Sequence, residues 1–195
     1  MSREDLTTIL AAESQPHRRL AAIGALLTRE SGLGTEGLTI VGGSALEIYT
    51  TGDCVSGDID IVAKRPEKVE GVLLSWGFTK NGMYWQHRDL GLVVQIVGRY
   101  DSGSRTLNQI VATPYGRLRL GSMEDIVWKR VYESRGWNRP EALDEAMLLA
   151  LRYSDRLDWE YLERRAKETG VEDLMADLRR LSAIPRASRR EVKRR

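Results

Sequence analysis

An α+β fold, a mixed β-sheet with helices packed on it followed by a small C-terminal helical unit, is what the sequence predicts. Three observations lead there. Short apolar and β-branched runs alternate with stretches of helical spacing up to about Gly121. From Ser122 onward only helical periodicity remains. Apolar residues make up 42% and charged residues 30% of the 195-residue chain, an ordinary globular balance with enough apolar material for a sizeable core.

In chain order, residues 3–13 keep the spacing of a short amphipathic helix. Ser14 stands as a cap, and Pro16 lies near the first turn of a second helix reaching Arg29, with Leu20, Ile23, Leu26 and Leu27 on one face. Ser31-Gly32-Leu33-Gly34 ends it. The apolar run Leu38–Val41 breaks at Gly42-Gly43-Ser44. A helical segment over residues 45–50 and a turn-rich loop then lead to Asp58-Ile59-Asp60-Ile61-Val62. Pro66 opens a helix to Trp76, closed by Gly77. Residues 83–86 and 90–97 form a hairpin turning near Arg88-Asp89, and residues 110–113 and 117–120 flank the turn Pro114-Tyr115-Gly116. The sheet expected from these runs has about five strands with helices on one face. Ser122 with Asp125 starts a helix to about Glu133, Pro140 starts another to Tyr153, Asp158 caps a third, and residues 173–181 form a fourth. The organisation expected is a core over residues 1–121, a helical region over 122–184 and a tail over 185–195. That tail is basic, has no periodicity and is expected to be disordered.

The formal net charge of +2 implies no bulk affinity for nucleic acid. A single cysteine, Cys54, cannot form an internal disulfide and fits a reducing cytoplasm. No apolar run reaches membrane-spanning length, so no membrane association is expected. Two histidines and one cysteine exclude a conventional zinc cluster, and no Gly-x-x-x-x-Gly-Lys-Ser/Thr loop is present. His17 is expected at a helix surface and His87 on a surface strand position. Trp137 with Arg135 and Arg139 could stack on nucleic acid, although loop packing is the commoner role for such a cluster.

The chemistry concentrates between Leu38 and Val62. Side chains at i and i+2 of a strand share a face about 6.8 Å apart, so Asp58 and Asp60 point the same way while Ile59 and Ile61 enter the core. Two like charges so placed call for a cation, and a pair of divalent ions would suit them. Glycines at a strand-to-helix junction bring backbone N–H groups close to an anion, which the helix dipole also favours; Ser44 can add a hydroxyl. An anion cradle beside a cation-holding carboxylate pair describes a site for a metal-bound triphosphate.

Gly42, Gly43 and Ser44, then thirteen intervening residues, then Asp58-Ile59-Asp60, resemble the signature of the nucleotidyltransferase superfamily, the DNA polymerase β-like fold. The layout is similar in particular to the minimal prokaryotic, AbiEii-like toxin type. The resemblance implies a nucleotidyltransferase-like sheet and Mg²⁺ (or Mn²⁺) held by Asp58 and Asp60. It also implies transfer of NMP from an NTP to a hydroxyl acceptor, an RNA (or tRNA) 3′ end or a protein. A role in a toxin–antitoxin pair, with a cognate antitoxin protein as partner, is implied with it. The segment Ser122-Met123-Glu124-Asp125-Ile126-Val127-Trp128-Lys129-Arg130 matches the family's Lys-bearing helix, which implies that Lys129 contacts phosphate. One departure stands out. The family's third carboxylate is expected on the strand containing Leu92-Val93-Val94-Gln95-Ile96-Val97, where Gln95 stands. A carboxamide oxygen can ligate a metal but cannot act as a base. Gln95 is therefore a further candidate metal ligand, Asp89 or Asp101 could substitute, and the alternative is a catalytically impaired nucleotide-binding or regulatory protein. The basic tail and Arg164, Arg165, Arg179 and Arg180 favour an RNA partner through phosphate attraction, and a solvated helix face explains those arginines equally well.

Overall fold

The computed structural model describes residues 2–99 and 108–183. Asp101 and the expected basic tail lie outside the described residues. The chain divides into two compact units, Met1–Ser122 and Met123–Arg195.

The first unit opens with α1 (Arg3–Ala12), where the Ser2 hydroxyl accepts the Asp5 N–H at 3.2 Å and the Asp5 carboxylate accepts the Ser2 N–H at 2.8 Å. In α2 (Pro16–Glu30) the cap residue is Gln15, not Ser14, and its side chain makes no cap bond; the preset φ of Pro16 starts the helix without one. Then come β1 (Leu38–Val41), α3 (Gly42–Thr50), β2 (Ile59–Ala63), α4 (Pro66–Ser75), β3 (Thr79–Asn81) and β4 (Tyr84–His87). A 3₁₀ turn (Arg88–Leu90) precedes β5 (Leu92–Arg99), β6 (Gln109–Thr113) and β7 (Gly116–Leu120).

The strands form one seven-stranded mixed sheet in the order β3-β4-β5-β2-β1-β7-β6. Strand β1 runs antiparallel to β2 and parallel to β7, and β2 runs parallel to β5. Two strands more than the expected five are present. All three residues of β3 are exposed, so it carries no apolar alternation by which a strand could be recognised.

Burial explains the sheet's sidedness. Along β2, Ile59, Ile61 and Ala63 are buried while Asp60 and Val62 are half-buried. The buried side meets Ile23, Leu26 and Leu27 of α2 and Ala45 and Leu46 of α3. Gly24 lets α2 approach closely: a Cβ there would stand 3.0 Å from Ile40 Cγ1 and 3.2 Å from Leu118 Cδ1. His87 is not at the surface. It shares strand parity with the buried Trp85, is only 2% exposed, and meets the Phe78 ring edge-on at 5.2 Å.

In the second unit, α5 (Met123–Gly136) packs on α6 (Pro140–Tyr153) and α7 (Trp159–Thr169), and α8 (Glu172–Ser182) packs on α6 and α7. Asp158 caps α7 by accepting the Tyr161 N–H at 2.9 Å. The α5–α6 seam holds Arg130, paired at 2.7 Å with Glu133 and at 2.5 Å with Glu145. The Tyr161 hydroxyl donates to Asp125 Oδ1 at 2.5 Å. Burial first and that carboxylate second push the Tyr161 phenol up to about 12.

Gly24→Val is expected to overpack the α2–sheet seam and cost about 1–3 kcal/mol in chemical denaturation. For Tyr161 the folded state holds its proton where the unfolded chain, with a phenol near 10, has released it. This contribution to stability is complete below pH 10 and lost as pH rises towards 12. Phenolate absorbance, with the Tyr161→Phe titration subtracted, should have its midpoint near 12.

Candidate active site

Val41 stands opposite Asp60 across β1 and β2, and Asp60 stands beside Gln95 across β2 and β5. Residues aligned in neighbouring strands project to the same face. Asp60 and Gln95 therefore lie side by side on the face opposite Ile59 and Ile61, with Tyr84 of β4 next in the row. Asp58, half-buried, is the last loop residue before β2. The Gln95 amide donates to the Met83 sulfur at 3.0 Å, which leaves its carbonyl oxygen as the group that can accept or ligate.

Helix α3 begins at Gly42, three residues earlier than spacing alone indicated, so Gly42-Gly43-Ser44 is its first turn. The cap residue, Val41, has no side-chain group that could cap that turn, and the leading N–H groups of a helix have no intrahelical acceptors. Gly42 is required twice over. Its φ is +61°, in the left-handed region, and a Cβ there would lie 2.2 Å from Asp60 Oδ2. The Asp60 carboxylate thus rests directly against the helix start. Ser44 is fully buried; its hydroxyl donates to the Val41 carbonyl at 2.9 Å and accepts the Asp60 N–H at 3.1 Å. The hydroxyl proton expected to meet phosphate is committed to the backbone, and Ser44 holds Asp60 in place.

The other expected residues stand on other elements. Lys129 sits on α5 in the second unit with its ammonium 3.8 Å from Glu133. Asp89 is on the 3₁₀ turn and, with His87, lines a separate cavity. His87 is on the opposite face of the sheet, since Trp85 and Val94 are paired there. Around the exposed Trp137, Arg135 bonds Asp173 and the Gly170 carbonyl, and Arg139 pairs with Glu133, Glu141 and Glu145.

One residue escaped the sequence reading. Glu47 of α3 is 1% exposed, accepts the Ser56 N–H at 2.6 Å and so pins the loop that carries Asp58. Ser56 in turn donates its hydroxyl to the Asp58 carbonyl at 2.8 Å. The signal was available: a lone carboxylate inside the otherwise uncharged helix GGSALEIYT.

The Asp60 carboxylate and the Gln95 carboxamide oxygen are hard oxygen donors of the kind that suit Mg²⁺, and Asp58 is on the loop outside their register. Among the described residues no group of three or more His, Cys, Asp or Glu could hold a metal. No helix among the described residues is long and apolar enough to cross a membrane.

No protein-family model matches the chain, and no curated protein does. Among solved structures the chain is similar to ANT(2")-Ia, crystallised in complex with adenylyl-2"-tobramycin. The identity is 16%, the alignment covers 80% of this chain and 97% of that one, and the TM-score is 0.46.

Gly42→Ala combines a left-handed backbone with a clash on Asp60 and should cost at least about 1–2 kcal/mol. Ser44→Ala leaves the Asp60 N–H without its acceptor and should cost about 1–3 kcal/mol. Urea titrations of both variants, read by far-UV circular dichroism, check these values.

Proposed function

We propose that the first unit is a nucleotide site for metal-dependent transfer of NMP from an NTP to a hydroxyl acceptor. The observation that carries the reading is that the Asp60 carboxylate occupies the space a Gly42 side chain would take at the start of α3. It brings a metal-binding group and an anion-binding backbone within one van der Waals contact. Backbone N–H groups at Gly43 and Ser44 bind the phosphates; the Ser44 hydroxyl positions Asp60 instead. Asp58, Asp60 and the Gln95 carbonyl oxygen are the residues that would hold Mg²⁺ or Mn²⁺, whose chemistry there is to neutralise phosphate charge. The acceptor hydroxyl attacks the α-phosphorus in line and pyrophosphate leaves, with the chain contributing position and fixed dipoles. An RNA 3′ end or a protein hydroxyl as acceptor, and a role in a toxin–antitoxin pair, belong to the same proposal.

A second reading is favoured by Gln95 itself. A neutral amide beside Asp60 supplies neither charge nor a base, and such a site can bind nucleotide without turning it over.

Purified chain incubated with α-labelled NTPs, Mg²⁺ or Mn²⁺, total RNA and cell protein should label one acceptor class. Asp58→Ala and Asp60→Ala should each lower the label by at least about a hundredfold. Gln95→Glu should tighten metal binding, measured by Mn²⁺ paramagnetic relaxation. Nucleotide binding without label in the unaltered chain would decide for the second reading.

A further inference from the structure

A cavity of about 160 Å³ opens in the first unit between the start of α2, the loop before β2 and the turn into β5. Pro16, Arg19, Glu47, Ser56, Asp58 and Leu92 are among its lining residues. Its volume admits several water-sized groups. Two buried polar atoms in its wall have no partner: Oε1 of Glu47 and Nε of Arg19. Glu47 is 99% buried by residue, since only 1% is exposed, and its other oxygen is held by Ser56, itself part of the same wall. A buried carboxylate fixed by one oxygen and without a partner at the other is costly unless a donor meets it.

We propose that this cavity binds a short aliphatic group ending in a hydroxyl or an ammonium, with Glu47 as the acceptor that recognises it. The chemistry of the wall selects that class. Glu47 and Asp58 outnumber Arg19, so the cavity prefers a donor or a cation to an anion. Leu20, Ile59, Leu90 and Leu92 give the stem an apolar surface. Arg19 Nε can meet an oxygen on the same group. Because Asp58 forms part of both this wall and the site proposed above, the cavity is where an acceptor's reacting end would lodge. That last step rests on the transfer reading; the binding itself does not.

The test is a ¹H–¹⁵N NMR titration of the full chain with ethanolamine, and with acetate as the anionic control. Ethanolamine should shift the amides of Ser56, Gly57, Gly91 and Leu92, and acetate should not. Glu47→Gln keeps an acceptor for the Ser56 N–H but removes the charge, and should weaken binding about tenfold or more. Val55 is 79% exposed at the rim, so Val55→Trp should obstruct entry without touching the core; it decides the matter if Glu47→Gln fails to fold. The proposal is overturned by absence of shifts, by equal response to acetate, or by undiminished binding in either folded variant. Loss of NMP transfer would leave this titration unchanged, so the two readings fail separately.

Discussion

The Ser44 hydroxyl joins the end of β1, the start of α3 and the Asp60 backbone: it donates to Val41 and accepts from Asp60. The placement of Asp60 and of the start of α3 depends on this joint. It closes the strand-to-helix turn from inside, where no water can serve, because Ser44 has no exposed surface. It also sets the height of Asp60 on its strand, so that the carboxylate meets Gly42 and nothing larger than glycine fits beneath it. A threonine-sized or apolar side chain at position 44 would leave one of these backbone groups unpaired or crowd the turn.

From that joint the electrostatics follow. Asp60 sits against the positive end of a helix, which favours its charge, and beside a neutral Gln95 on the adjacent strand. A third carboxylate at position 95 would add repulsion that only bound cations could offset. With glutamine there, Asp60 has a neutral neighbour on the adjacent strand. The loop bearing Asp58 has its own tether, the Glu47 carboxylate on α3, so both acidic residues are positioned by the same helix. Helix α3 thus holds both Asp60 and the loop that carries Asp58.

In the second unit the arginines that suggested RNA have internal partners. Arg165 lies 4.0 Å over the Trp128 ring and pairs with Glu168. Arg179 pairs with Glu163 and lies over Trp159, and Arg180 pairs with Asp177. Arg164 lies over Tyr161. Exposed pairs of this kind contribute little individually. Lys129, half-exposed and near Glu133, is likewise part of a charge cluster on α5.

Local chemistry alone determined most of the architecture. Period-two alternation fixed β2 and its sidedness, Pro16, Pro66 and Pro140 each open a helix as expected, and Asp158 caps α7. The order Gly-Gly-Ser then Asp-x-Asp was legible because strand parity and glycine's backbone freedom are properties of a few adjacent residues. Tertiary structure decided the rest. That Gln95 neighbours Asp60 depends on a register between strands more than thirty residues apart in sequence. Ser44 and Glu47 turned inward, and His87 went into the core, because what a polar side chain meets is set by segments that arrive from elsewhere. The exposed β3 is held by backbone hydrogen bonds to β4, an interaction that leaves no mark on side-chain pattern.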